Sequence, residues 1–382
     1  MVELPYGRVP YPLDPRGYDL TLLRAAERPS PPPLPSLLEA ALAAPLGRPL
    51  IERMVAAGAR VTVIVSDDTR SEPRAVFLEH LRARLPAVQW TIAIATGTHG
   101  PTSLPALGLP ASLLRDARIV NHDGHSDAEL VTLGATSRGT PARLHRCLVE
   151  ADLVIATGCI LPHYFAGFGA GTKAIFPGLG AASAIRRNHE LKTHPLARAG
   201  VVDENPCRAD LEEVAALLPT PTFLLNGVLA PDERVHAAVA GDPITAFRAG
   251  VALARPWFTL RAPRAPVVVA SDALPITASL YQAAKVCAAV APLVADGGRL
   301  VLVAECPDGI GPLAVVNEAI FRIGVLPRLA PGVSLHLVSS LPASAVSQTL
   351  LQPARSLSTT LPSTGPLTVV PRASKLIIEP SS

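Results

Sequence analysis

The sequence predicts an α/β protein made of two doubly wound α/β domains. Three observations predict it. Short apolar runs rich in valine and isoleucine alternate with longer amphipathic stretches, the pattern of βα units on a parallel sheet. The chain has 382 residues, more than the roughly 100–200 of an ordinary domain. The alternation also pauses at a Pro- and Arg-rich stretch, RPWFTLRAPRAP (255–266), which reads as a linker, and then restarts. The expected domains are therefore 1–258 and 259–382.

Each element follows from its local pattern. Residues 1–35 are proline-rich and weakly patterned, with room for short strands only. Residues 36–58 read as two amphipathic helices broken near Pro45. VTVIVS (61–66) is a continuous β-branched run and hence a buried strand; a helix over 72–85 follows. VQWTIAIA (88–95), ARIV (117–120) and ADLVIATG (151–158) are the next strands, and helical segments run on to about residue 218. In the second domain the expected strands are 267–271, 299–304 and 334–339, followed by late strands LTVV and KLIIE. The expected helices between them are 278–294, 311–323 and 342–353.

Bulk properties exclude several classes of protein. Hydrophobic residues make up 49% and charged residues 17%, which a disordered chain does not show. A net charge of +3 gives no basic footprint for nucleic acid. No apolar run reaches the roughly 18 residues of a membrane helix. The N-terminus, MVELPYGRVPYPLDPRG, lacks the charged and apolar regions of a secretory signal. The five cysteines are scattered and form no CxxC pair, so reduced thiols in the cytoplasm are expected. Only Lys173, Lys192, Lys285 and Lys375 are lysines, which makes each one conspicuous.

In open parallel sheets, ligands bind beyond the carboxyl ends of the strands. Three successive strands end here in polar residues. The first gives Ser66-Asp67-Asp68-Thr69-Arg70, the second Thr96-Gly97-Thr98-His99, and the third leads through Gly158 to His163. If those strands are neighbours, Asp67, Arg70, His99 and His163 meet in one crevice. A competing reading makes SDDTRSEP a helix start, with Ser71 as cap and Pro73 in the first turn. It leaves Arg70 and two acids without a role.

HYFAGFGAGTKAIFPG (163–178) is the most informative stretch. Gly167, Gly169 and Gly171 let backbone amides approach an anion, and Lys173 follows among apolar residues. The order Thr172-Lys173-Ala174 is not a Walker A loop, and the G-x-G-x-G spacing is not the dinucleotide fingerprint. The alternative is a flexible loop. His189 lies on a helix-like segment. With His99 and His163 it supplies neutral imidazoles suited to metal binding or proton transfer near pH 7. In the second domain, Tyr281, Gln282 and Lys285 share one helix face, where an amide and an ammonium suit a carboxylate; a solvated face is the alternative.

Taken together, these pieces resemble the LarA-type lactate racemase family. The matching segments are SDDTR (66–70), ATGTHGP (95–101), NHD (121–123), SRGTP (137–141), HYFAGFGAGTKAIFPG (163–178), NH (188–189), NPCRAD (205–210), LYQAAK (280–285) and ECPDGIG (305–311). They occur in family order over most of the chain. The resemblance implies two α/β domains with the active site in the cleft between them. It implies a nickel-pincer nucleotide, a pyridinium mononucleotide holding nickel through sulfur and carbon, covalently attached at Lys173 and made by dedicated biosynthesis enzymes. His189 would complete the nickel coordination. His99 and His163 would be paired general acid/base groups, with Asp67 and Arg70 beside them. Arg70, Tyr281, Gln282 and Lys285 would bind a small 2-hydroxy carboxylate, racemised through a 2-keto acid.

Three departures qualify the match. Ala170 stands where relatives usually have glycine, and is expected to be tolerated. Before LYQ, where relatives read like GGYPxDxN, this chain reads SDALPITAS (271–279), so Thr277 and Ser279 replace the acid and the amide. No tryptophan follows Trp257, whereas some members place one over the substrate. Lactate, malate, longer 2-hydroxy acids and sugar acids all stay open as substrates. Two other readings compete: a family member that binds cofactor or ligand without racemising it, and a zinc hydrolase using His99, His163 and Asp67.

Overall fold

The computed structural model describes residues 1–381. The chain divides into two compact units, one formed by residues 27–257 and the other by residues 1–26 together with 258–382.

The 27–257 unit is built on a six-stranded sheet. Its spatial order is Val235–Gly241, Thr222–Leu229, Leu153–Ile160, Arg60–Ser66, Gln89–Ala95, Ala117–Asn121. Only the first pairing is antiparallel. The apolar run expected at 61–66 is buried on both faces. Val61, Val63 and Val65 pack into a core with Phe77, Leu78 and Leu81 of the helix Arg74–Arg84. Ile64 points the other way, into a core with Ala184 and Ile185 of Ala182–Glu190 and Leu211 and Val214 of Pro206–Ala216. Helices on both faces make the sheet doubly wound, and each fully buried aliphatic side chain contributes about 1.5–3 kcal/mol.

The chain leaves Arg60–Ser66 for the two strands on one side and returns to Leu153–Ile160 on the other. The crevice at this reversal opens between the loops after residues 66 and 160. Two antiparallel features lie outside the expected βα pattern: the hairpin of Leu130–Ala135 with Pro141–His145, and the strand pair Thr222–Leu229 with Val235–Gly241.

The second unit holds a parallel six-stranded sheet, ordered Gln352–Ala354, Ser334–Val338, Val294–Val303, Ala265–Ser271, Gly365–Val370, Tyr18–Leu22. Tyr18–Leu22 runs beside Gly365–Val370, with Tyr18 opposite Gly365 and Leu22 opposite Val369. Residues 1–26 therefore belong with the C-terminal part of the chain, not with the domain expected over 1–258. Strand pairing across some 350 residues leaves no local trace in the sequence. The expected linker at 255–266 is ordered structure: the end of the helix Pro243–Phe258, then Thr259–Ala262, which pairs with Ile377–Pro380. Of the two helices expected over 36–58, one forms at Leu34–Ala43; the second is a single turn at Ile51–Arg53. The helix expected over 342–353 shortens to Ala343–Val346.

Candidate active site

The loop after Arg60–Ser66 carries Asp67, which is 3% exposed. Its Oδ2 accepts a hydrogen bond from His99 Nδ1 at 2.6 Å, and its Oδ1 accepts from the amide and hydroxyl of Thr69 at 3.1 and 2.6 Å. Burial pushes the Asp67 carboxyl up, but the hydrogen bonds from His99 and Thr69 outweigh it and hold the group below its ordinary value. An ionised Asp67 fixes the proton of a neutral His99 on Nδ1, leaving Nε2 as a free base. Arg74 braces the loop from below, donating to the carbonyls of Ser66 and Arg70 at 2.7 Å and also to that of Asp67. Buried Glu72 accepts from the Ser66 amide at 2.7 Å and from the Thr157 hydroxyl. The helix begins only at Arg74, and its cap position, Pro73, has no side-chain hydrogen bond, so Ser71 does not cap it.

The loop after Leu153–Ile160 folds into a two-residue hairpin that pairs His163 with Gly167. The Ala166 amide donates to His163 Nδ1 at 3.2 Å, so the neutral ring carries its proton on Nε2. The two histidines thus hold opposite tautomers: His99 offers a lone pair at Nε2, His163 an N–H.

The glycine-rich loop is organised around a residue that sequence reasoning passed over. Arg208, with no exposed side-chain surface, donates to the carbonyls of Ala166, Phe168 and Ala170 and stacks 4.4 Å from the centre of the Phe247 ring. The expectation that glycine amides face an anion is corrected at two of three positions. Gly169 donates to Leu161 O at 2.8 Å and Gly171 to Asn226 Oδ1 at 2.9 Å. The glycines are needed for close approach instead. A Cβ on Gly167 would meet Val201 O at 2.0 Å, and one on Gly171 would meet the Phe247 ring at 2.7 Å. Ala170 adopts φ 61° and ψ −156°, a region suited to glycine. Its methyl is tolerated at a cost in backbone strain.

This loop delivers Lys173 on the turn Gly171–Ala174. Phe165 is the common neighbour of the cluster: its ring lies 4.6 Å from His163, 5.0 Å from His189 and 5.7 Å from Lys173 Nζ. Burial, then the charges of Arg208 and Arg70, lower the Lys173 ammonium from 10.5 to about 7. Burial, then Lys173 and Lys192, lower His189 from 6.5 to about 3. Burial, then Lys173 and Arg70, hold His163 well below its ordinary value. Arg70 acts electrostatically on Asp67, His163 and Lys173 alike, and so lies within reach of both halves of the crevice.

Further residues set the frame. Asn188 Nδ2 donates to Asp210 Oδ2 at 2.8 Å, and Asp210 Oδ1 accepts from Thr136 at 2.6 Å, which anchors the helix that carries His189. Asn205 caps Pro206–Ala216 through the amides of Cys207 and Arg208 and holds the Phe165 carbonyl at 2.8 Å. The Asn205-Pro206 pair is a helix-start signature visible in the sequence. It would have placed Arg208 in a first helical turn, though not against the glycine loop.

In the other unit, Tyr281, Gln282 and Lys285 do share a face of Leu280–Val290. Lys285 Nζ donates to Gln282 Oε1 at 2.7 Å and lies 4.6 Å from the Tyr281 ring centre. The helix N-terminus is sealed by backbone: the amides of Leu280 and Tyr281 donate to the carbonyls of Gly309 and Ile310. Thr277, in the divergent 271–279 segment, is fully buried, and its hydroxyl has no partner.

These features form a candidate small-ligand site at the topological switch point of a parallel α/β protein, lined by imidazoles and a lysine whose pKa is lowered to about 7. Comparison with known proteins narrows the class. The lactate racemase N-terminal domain profile matches residues 12–200. The chain is 31% identical over 284 residues to a lactate racemase of Thermoanaerobacterium thermosaccharolyticum and 29% identical over 283 residues to one of Lactiplantibacillus plantarum. Each alignment covers 72% of this chain and 66% of the relative, just under two thirds of its length. The structure of the lactate racemase apoprotein from T. thermosaccharolyticum superposes with a TM-score of 0.84 at 25% identity, covering 99% of both chains. A crystal structure of a Thermotoga maritima protein, 16% identical, shares the fold with a TM-score of 0.69 over 90% of this chain and 97% of that one. The chain belongs to the lactate racemase family.

Proposed function

We propose that the protein is a racemase or epimerase of a small 2-hydroxy acid, working through a 2-keto acid with a nickel-pincer nucleotide attached at Lys173. The observation that carries this reading is the gathering of Lys173, His189 and His163 around Phe165, beyond the strand adjacent to the one that leads to the Asp67–His99 pair.

The residues present fit the cofactor. An amine held near pKa 7 is a competent nucleophile for a covalent link at neutral pH. His189 stays neutral, as a metal ligand must. Among the described residues, no group of three or more His, Cys, Asp or Glu is placed to hold a metal. A metal bound by His189 therefore needs donors from elsewhere, and a nucleotide that brings sulfur and carbon donors supplies them. The same observation weighs against the zinc-hydrolase reading, which needs its ligands from the chain. The buried Thr172 hydroxyl, without a partner, gives the adjoining position a donor for a ligand.

The chemistry the group supplies when bound is reversible hydride acceptance, which spares the substrate a carbanion beside its carboxylate. The protein's own residues handle protons and charge. His99 Nε2, held as a lone pair by Asp67, takes the hydroxyl proton of one antipode. His163 serves the other antipode in the opposite sense: in its imidazolium form it donates the Nε2 proton to the carbonyl oxygen of the 2-keto acid. Both Arg70 and Lys173 hold its pKa down, so an anion facing them raises it back toward its working range. Arg70 provides a guanidinium for the substrate carboxylate. The five free thiols support a reducing, cytoplasmic setting.

A second reading, a member that binds its cofactor without racemising, is favoured by one observation only: Thr277, which replaces an acid of relatives, is buried without a partner. A panel of D- and L-2-hydroxy acids, assayed on protein co-expressed with the cofactor-making enzymes, separates the two. Interconversion of any one pair supports the racemase. Nickel-loaded protein that turns over none supports the second reading.

A further inference from the structure

The crevice holds more positive charge than the proposed chemistry uses. Arg70, Lys173 and Lys192 have no ion-pair partner among the described residues, whereas most arginines of the chain do. Asp67, the carboxylate beside Arg70, is committed to His99 and Thr69. Lys192 lies on the turn Leu191–Thr193, which continues the His189 helix without a break. At i, i+3 from His189 it projects from the same side. Its neighbour Leu191 packs against the cluster of Phe165, Ala166 and Cys207, which anchors the turn to the crevice. The buried Cys207 thiol feels the charges of both Lys173 and Lys192, which puts both amines in its neighbourhood. Lys192 itself is half-buried.

A half-buried ammonium without a carboxylate partner costs desolvation and gains nothing in the apoprotein. Such a group is explained by an anion that arrives with a ligand. Arg70 faces the substrate carboxylate and Lys173 is spent on the covalent link, which leaves Lys192 for a second anionic group on the same ligand set. We propose that Lys192 is a phosphate-binding residue of this site and takes the phosphate monoester of the pyridine mononucleotide. This assignment rests on the cofactor reading above. It adds a residue that the family motifs quoted from the sequence do not include.

The test is titration calorimetry of the full-length apoprotein with nicotinate mononucleotide, with nicotinate riboside, which lacks the phosphate, and with inorganic phosphate. The mononucleotide is expected to bind the wild type and to bind Lys192→Ala about tenfold more weakly, the worth of one charge-assisted contact. Lys192→Arg should restore most of the loss. The riboside should bind both proteins alike, and inorganic phosphate more weakly than the mononucleotide. Equal mononucleotide binding by wild type and Lys192→Ala overturns the assignment, as does an equal loss with the riboside. Inorganic phosphate binding as tightly as the mononucleotide overturns the ester as its ligand. A wild type that binds neither nucleoside nor nucleotide counts against the cofactor reading itself, a separate failure.

Discussion

The two units carry similar parallel sheets but treat the polar groups beyond their strands in opposite ways. In the 258–382 part, most of those groups are consumed internally, the buried Ser271 and Thr277 hydroxyls excepted. Asp272 accepts from the amides of Ala273 and Ser374, Glu305 from the Arg8 amide, and the start of Leu280–Val290 is closed by the carbonyls of Gly309 and Ile310. In the 27–257 unit the supports are satisfied and the tips are not. Arg74, Glu72, Arg208, Asn205 and Asn188 have their hydrogen bonds, and they hold out His99 Nε2, His163, His189, Lys173 and Arg70 to solvent or ligand. Buried polar groups are normally paired. A concentration of imidazoles and amines, with Lys173, His163 and His189 pKa-shifted, on a hydrogen-bonded scaffold is therefore the mark of a candidate site, and the 27–257 sheet bears it.

Equivalent substitutions in the two units should have different consequences. Asp67→Asn removes the charge that fixes the His99 tautomer while keeping an acceptor for Thr69. It should lower kcat by about 10²–10⁴ and leave circular dichroism unchanged. Asp272→Ala strips two backbone amides of their acceptor and should cost about 1–3 kcal/mol, read as a lower thermal midpoint. A stability loss from Asp67→Asn without a rate effect would break the contrast.

The smallest effect is at Ala170. Its backbone conformation costs about 1–3 kcal/mol, and Ala170→Gly relieves it against an unfolded-state penalty of about 0.4–1 kcal/mol. A gain of about 1 kcal/mol, or about 2–4 °C in melting temperature, is expected. No gain would mean that the surrounding loop already shapes itself to the methyl.

Much of this was legible in the sequence, because it is encoded locally. The strands near 61–66, 88–95 and 151–158 are continuous apolar runs, and they are neighbours in the sheet, so Asp67 and His99 at the ends of the first two meet. The i, i+3 face of Gln282 and Lys285 likewise follows from helix periodicity. What escaped was non-local. Tyr18–Leu22 finds its partner at residues 365–369, and Arg208 reads as one more arginine until the glycine loop is seen wrapped around it. The glycines were correctly singled out, but the reason was different: tight approach to Val201 and Phe247 at Gly167 and Gly171, with the Gly169 and Gly171 amides already spent.

The central claim is that Lys173 is the point of covalent attachment. Peptide mass mapping of protein co-expressed with the cofactor-making enzymes, with nickel measured on the same sample, tests it most directly. The predicted result is added mass on the peptide that contains Lys173, nickel in proportion to that mass, and loss of both in Lys173→Ala. A nickel-containing, racemising protein whose Lys173 peptide is unmodified, or a Lys173→Ala variant as active as the wild type, would contradict it.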